Sequence, residues 1–166
     1  MGLSGVQRIL KFTKYMSKYN WSPTVITSGD IDYFAHDDYM TKEAEEAEIK
    51  IIRTNGNDPN RLLSKYGTIT MPAEIIRKTL SSLSKTFFIP DNKISWSNQA
   101  YLVAKELLSK EHFDIIFVRI PPYSAFSIAA KLKEEFNIPL IVDYRDLWYG
   151  NQFSLYPTPY HKIQHK

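Results

Sequence analysis

The sequence predicts an α/β chain built on a doubly wound parallel sheet, and three observations carry that expectation. Stretches with helical periodicity alternate with short apolar strands, the order that right-handed βαβ units produce. Leu140, Ile141 and Val142 form a continuous apolar run with a β-branched bias, bounded upstream by Pro139, as in a strand buried on both faces. Asp114-Ile115-Ile116-Phe117-Val118 has the same character and is ended by Pro121-Pro122.

The elements follow in order. Ser4-Gly5-Val6-Gln7 has the form of a capping box with Ser4 as N-cap, and Val6, Ile9, Leu10, Thr13 and Met16 then share one helical face. Asn20 ends that helix in a left-handed conformation, and Trp21-Ser22-Pro23 turns the chain into a strand over Thr24-Val25-Ile26-Thr27. Gly29 to Met40 is acidic, aromatic and aperiodic, so it reads as a loop. Glu48 to Ile52 gives a second strand, closed by the turn chemistry of Asn55-Gly56-Asn57-Asp58-Pro59. Pro72 opens a helix carrying Ile75, Ile76, Leu80, Leu83 and Phe87, which Phe88-Ile89-Pro90-Asp91 breaks. A further helix runs from about Trp96 to Lys110 and turns Ala100, Val103, Ala104, Leu107 and Leu108 inward. After the Asp114–Val118 strand, Ser124 is the expected N-cap of a helix with Ile128, Ala129, Leu132 and Phe136 inward, stopped by Asn137 and Pro139.

A chain of 166 residues is enough for one domain with a real core and leaves no comfortable room for a second, so residues 1–166 are expected to be a single domain. Lys and Arg number 21 against 18 Asp and Glu, interspersed, and the net charge of +3 does not point to nucleic acid. The absence of cysteine excludes disulfides, thiolate metal ligands and a cysteine nucleophile. No apolar run approaches a membrane span and the N-terminus has no secretory core, so a soluble cytoplasmic domain is expected.

Chemistry concentrates at one point. The strand ending in Val142 delivers Asp143, Arg145 and Asp146, with Tyr144 and Trp148, to the carboxyl end of the sheet, where open α/β sheets bind their ligands. The competing account is an ion pair from Arg145 to Asp146 or Asp143 that only ties down a loop. One part of the sheet is missing. A Rossmann-like half starts with a strand whose tight glycine turn feeds the first helix, whereas Met1-Gly2-Leu3-Ser4-Gly5 starts at the turn. The first, central strand is expected to be absent, leaving a gap or an edge between the strands at Thr24 and Asp114.

Four segments resemble the N-terminal domain of a GT-B glycosyltransferase of the family-four type. Met1-Gly2-Leu3-Ser4-Gly5-Val6-Gln7-Arg8 resembles the family's glycine loop and helix start, and Trp21 to Thr27 resembles its second strand. Ile89-Pro90-Asp91 with Trp96 resembles a "PD…W" element, and Val142-Asp143-Tyr144-Arg145-Asp146-Leu147-Trp148 is similar to a "D-[FY]-R-D-P-W" signature, with Leu147 in place of the proline. The resemblance covers roughly residues 1–28 and 89–152 and leaves residues 29–88 unmatched.

What the resemblance implies is one Rossmann-like half of a GT-B fold, the acceptor side of an enzyme that transfers a sugar from a nucleoside diphosphate to an acceptor hydroxyl with retention. The donor would be held mainly by a C-terminal domain that these residues do not include, as a co-substrate and with no further cofactor or metal. A glycan or lipid-linked acceptor is implied, and a peripheral membrane contact with it. Asp146 matches the position facing the reacting sugar and is the implied catalytic residue. Gly2 and Gly5 would bring backbone amides to phosphate or sugar, Arg145 and Asp143 would serve the same crevice, and Tyr123 in Pro121-Pro122-Tyr123-Ser124 would line it. For that turn a merely rigid strand-to-helix connection is the stronger account. The alternative from another class is a non-catalytic Rossmann or flavodoxin-like module that binds a small ligand or partner, since fold alone decides no function.

Three weaker signals are set aside. Asp30-Ile31-Asp32 has the spacing of a carboxylate pair that bridges a cation to a diphosphate, but stands alone. His161 and His165 lie four apart without a third ligand. Arg77, Lys78 and Lys85 beside Ile75, Ile76, Phe87 and Phe88 form a basic face suited to an anionic membrane, although a core-facing amphipathic helix is favoured.

Overall fold

A computed structural model describes residues 3–29, 38–47, 49–55, 91–146 and 159–164. They form an α/β structure with two small parallel sheets, each of two strands, flanked by helices. The chain divides into an N-terminal and a C-terminal compact unit.

The N-terminal unit opens with α1, Leu3–Met16. The helix already includes Ser4 and Gly5, so Ser4 does not have the non-helical backbone an N-cap needs and the expected cap is corrected. The buried side of α1 carries Leu10 and Thr13, and the Thr13 hydroxyl satisfies itself on the carbonyls of Ile9 (2.9 Å) and Leu10 (3.0 Å). A 3₁₀ turn, Ser17–Tyr19, tightens the end, and Asn20 takes the expected left-handed conformation at φ 61°. Strand β1, Thr24–Ser28, follows.

Asp38–Glu46 is a helix, α2, where a loop reaching Met40 is expected. Its inward side explains the miss, because it is Glu43 beside Ala44 rather than an apolar stripe. Glu43 is only 5% exposed and takes hydrogen bonds from Lys11 Nζ (2.6 Å) and Lys14 Nζ (2.7 Å) of α1. These donors hold the Glu43 carboxyl below the usual carboxylate range, Lys11 contributing most. Strand β2 is Lys50–Thr54, two residues later than the sequence suggests, and pairs parallel with β1 from Thr24↔Lys50 to Ser28↔Thr54. The ladder carries on through polar Arg53 and Thr54, and the Gly29 amide donates to the Thr54 carbonyl at 2.8 Å. A Cβ on Gly29 would press on the Asn55 side-chain amide, which would have to swing aside.

In the C-terminal unit, α3 is Ile94–Lys110 and α4 is Ser124–Phe136, closed by Asn137 at φ 52° as expected. Strands β3, Ile116–Ile120, and β4, Leu140–Tyr144, pair parallel in the register Ile116↔Leu140 to Ile120↔Tyr144. β3 runs up to Pro121-Pro122, the expected terminator, and takes in Arg119, opposite which Asp143 stands in the register. Val118, Ile120, Ala125 and Ala129 form the core, with Trp96, Tyr123, Phe126, Leu140 and Val142 packed around it. The last described helix is α5, Pro159–Gln164.

Among the described residues β1 pairs only with β2, and β3 only with β4, where one doubly wound sheet is expected. No described helix is long and apolar enough to cross a membrane. The expected helix over Pro72 to Phe87 lies outside the described residues.

Candidate active site at the carboxyl ends of β3 and β4

Strand alternation decides which side chains of β3 and β4 are available. Val118, Ile120 and Val142 pack on the core, and the intervening positions place Phe117 and Arg119 beside Ile141 and Asp143 on the other face. Arg119 Nε lies 3.9 Å from Asp143 Oδ2, with both side chains about five-sixths buried (15% and 16% exposed). Asp143, expected at the substrate crevice, is therefore matched to a cation within the sheet. The Arg145 amide donates to the Ile120 carbonyl at 3.0 Å, extending the ladder by one step. Arg145 and Asp146 then stand exposed at the strand end. No ion pair joins Arg145 to Asp143 or to Asp146 among the described residues, and of the two carboxylates Asp143 is engaged by Arg119.

The neighbouring strand ends at Pro121-Pro122, each preceded by a cis peptide bond, and leads into α4. Here the expected cap is also corrected. Ser124 is the first residue of α4, not the residue before it, and its hydroxyl makes no cap to its own helix. The cap comes from 33 residues upstream. Asp91 Oδ2 accepts the Ser124 amide (2.9 Å), while Asp91 Oδ1 accepts the Ser124 hydroxyl (2.8 Å) and the Lys93 amide (2.8 Å). A carboxylate is an acceptor only, so Ser124 donates to it and in turn accepts from the Ser97 hydroxyl at 2.8 Å. Ser97 is fully buried and Ser124 is 3% exposed, so this chain Ser97→Ser124→Asp91 is an interior network closed by a charge at a helix N-terminus.

Tyr123 immediately precedes α4 and is partly buried against the core. The C-terminal unit thus brings Tyr123, Asp91, Arg145 and Asp146 to the carboxyl-end loops of β3 and β4. Gly5 lies in the first turn of α1 in the N-terminal unit, and Gly2, Leu147 and Trp148 lie outside the described residues. So do Asp30, Ile31, Asp32 and His165; His161 is on α5. Among the described residues no group of three or more His, Asp or Glu side chains is placed to hold a metal.

The role of Asp91 was not legible in its own neighbourhood. Its signal was indirect: Ser97 and Ser124 are small polar residues at inward positions of otherwise apolar helices, and such hydroxyls need an acceptor. Trp96, next to Ser97, has its indole Nε1 buried with no hydrogen-bond partner among the described residues.

A cavity of about 400 Å³ lies at the opposite end of this unit, lined by Leu108, His112, Phe113, Phe136, Ile138 and Pro139 among others. It sits at the amino ends of the strands, away from the Arg145–Asp146 end. Ligands of parallel α/β sheets bind beyond the carboxyl ends, where crossover loops and helix N-termini converge, so the Asp146 end is the candidate site.

The chain matches no protein-family model, no curated protein and no solved structure.

Proposed function

We propose that this chain is the acceptor-side part of a nucleotide-sugar-dependent GT-B glycosyltransferase of the family-four type, acting on an acceptor hydroxyl with retention. The observation that carries the reading is the joining of two separate resembling segments in one structural unit. Asp91 of the "PD…W" element caps the helix that leads out of β3, and Trp96 packs on the same core as Val142 of the Asp143–Asp146 segment. The strand pairing supports it too. In a doubly wound half of order 3-2-1-4-5, strands two and three are neighbours and so are four and five, which is the pairing of β1 with β2 and of β3 with β4.

In this reaction the bond from the anomeric carbon to the diphosphate breaks and one to the acceptor oxygen forms on the same face. The acceptor proton leaves with the diphosphate. Asp146, exposed at the end of β4, accepts a hydrogen bond from the acceptor hydroxyl and fixes its line of approach. Arg145 adds a cation where negative charge develops on the leaving group.

The test is Asp146→Asn in the full-length protein, assayed with uridine and guanosine diphosphate sugars. Turnover should fall on the order of a hundredfold, the range lost when a positioned polar group is removed. The melting temperature should not move, because Asp146 is exposed and has no ion-pair partner among the described residues. A folded variant that transfers sugar at the parent rate removes Asp146 from the reaction; a full-length protein that transfers no sugar removes the reading.

A further inference from the structure

We propose that Asp91 fills the anion position at the start of α4, so that the crevice beyond β3 and β4 takes an acceptor presenting uncharged hydroxyls there and turns away one that carries a phosphate beside the reacting hydroxyl. The acceptor clause rests on the glycosyltransferase reading; the filling of the helix start does not.

The start of a helix that follows a parallel strand is where such sheets hold phosphate, because its first amides have no partner within the helix and its dipole favours negative charge. In α4 the first three amides are all engaged. The Ser124 amide donates to Asp91 Oδ2 (2.9 Å), the Ala125 amide to the Pro122 carbonyl (3.3 Å) and the Phe126 amide to the Tyr123 carbonyl (3.0 Å). Asp91 Oδ1 takes in addition the Ser124 hydroxyl and the Lys93 amide, both at 2.8 Å, so three donors converge on one carboxylate as they would on a phosphate. Because Ser124 is 3% exposed, an incoming anion reaches its amide only by displacing Asp91.

The kind of cap decides what the crevice can take. Tyr123, the residue before α4, makes no side-chain cap. A neutral serine or asparagine there would satisfy an amide and leave the dipole to attract an anion. A carboxylate brought from 33 residues upstream satisfies the amide and sets a full negative charge at the same point. Pro121 and Pro122 lead from β3 into α4, and the Arg145 amide is bonded to Ile120, the last residue of β3, so that charge belongs to the strand ends that carry Arg145 and Asp146. A phosphate at the start of α4 would meet the like charge of Asp91 and find the first three amides taken, whereas a hydroxyl can donate to a carboxylate. The diphosphate of the donor is met by Arg145 rather than by α4.

The test has two arms. With the whole chain, inorganic phosphate is titrated against chloride of equal ionic strength while the backbone amides are followed by nuclear magnetic resonance. The Ser124, Ala125 and Phe126 amides of the parent should not shift saturably, whereas those of Asp91→Ala should, and phosphate should raise the melting midpoint of that variant alone by a few degrees. If Asp91→Ala does not fold in chloride, recovery of its helical circular dichroism in phosphate is the same readout. Saturable shifts in the parent, or a variant that does not distinguish phosphate from chloride, overturn the proposal. With the full-length protein, transfer to a neutral glycoside is compared with transfer to the same glycoside phosphorylated next to the reacting hydroxyl. The parent should prefer the neutral acceptor by about tenfold or more in kcat/KM, and Asp91→Asn, which keeps an acceptor oxygen for the Ser124 amide without the charge, should narrow that ratio several-fold. Equal use of both acceptors by the parent, or an unchanged ratio in Asp91→Asn, overturns the acceptor clause. No transfer to either acceptor removes the glycosyltransferase reading, and the filling of the helix start then stands or falls on the phosphate arm.

Discussion

The two parallel ladders have five-residue registers and end alike, each extended by one amide: Gly29 onto the Thr54 carbonyl, Arg145 onto the Ile120 carbonyl. Their crossover helices are held by different forces. In the N-terminal unit α2 is tied to α1 through Glu43 and two lysines. In the C-terminal unit α4 lays Ala125, Ala129 and Leu132 into the interior, and its charge contacts lie at its ends, Asp91 at the first turn and the Glu135–Lys105 ion pair to α3 at the last. The strand ends differ accordingly. Gly29 presents no side chain and is overlain by Asn55, whereas Arg145 and Asp146 present a cation and a carboxylate to solvent. The apolar unit is the one that carries exposed ionic chemistry, since its scaffold does not draw on those charges for stability.

The largest effect should come from the apolar unit. Ile120 is completely buried at the centre of the β3–α4 packing. Ile120→Ala should cost about 2–5 kcal/mol, the transfer free energy of the lost methylenes plus the cavity they leave. Urea denaturation with an unchanged slope measures it. A loss under about 1 kcal/mol would mean that packing does not hold this unit, and the contrast with the N-terminal unit would fail.

Asp91 comes next and sharpens the contrast, because there a single carboxylate holds the start of α4. Asp91→Ala leaves the buried Ser124 hydroxyl and its amide without their acceptor, a loss of about 1–3 kcal/mol for an orphaned polar group and a missing cap. The amide of Ser124 should exchange with solvent faster while those of mid-α4 stay protected. Asp91→Asn retains an acceptor oxygen and should recover part of the loss. Unchanged exchange at Ser124 would show that the helix start is held by Pro122 and Tyr123 instead, whose carbonyls take the Ala125 and Phe126 amides.

What the sequence discloses follows the same division. Periodicity located α1, α3, α4 and the cores of the strands, because those elements fold by burying apolar groups at fixed spacings. It misses α2, whose inward face is Glu43, and it does not reveal that Arg119 of β3 meets Asp143 of a strand 24 residues later. At the candidate site the exposed position of Arg145 and Asp146 at the strand end is legible from their place after an apolar run. The contact of Asp143 with Arg119 is not, because position after a strand does not reveal register. The cap of α4 was assigned to Ser124 because a carboxylate 33 residues away leaves no local mark. Partners distant in sequence are set by tertiary packing, and no local pattern encodes them.

The smallest effect is electrostatic and belongs to the N-terminal unit. Hydrogen bonds from Lys11 and then Lys14 hold the Glu43 carboxyl below the ordinary carboxylate value, and the bond to Glu43 holds the Lys14 ammonium above the ordinary lysine value. For Glu43 the unfolded chain binds a proton more readily than the folded one. Its contribution is therefore present above the ordinary carboxylate pKa and lost as the pH falls through the lower, folded value. For Lys14 the sign reverses, and its contribution is present below the ordinary lysine pKa and lost as the pH rises through the folded value. Protection of the α2 amides should accordingly be level near neutrality and fall on both the acid and the alkaline side. Glu43→Gln should lower that plateau and flatten both flanks. The lysine side chains are 41% and 37% exposed, so raised salt should weaken protection in the parent and leave the variant unmoved. Amides in the middle of α4, around Ala129, serve as the internal control, since the ion pair of that helix with α3 lies in its last turn, at Glu135. If Glu43→Gln left the acid flank of α2 as steep as in the parent, the attachment of α2 would rest on Ala44 and not on the ion pairs, and the two crossovers would be held by the same force.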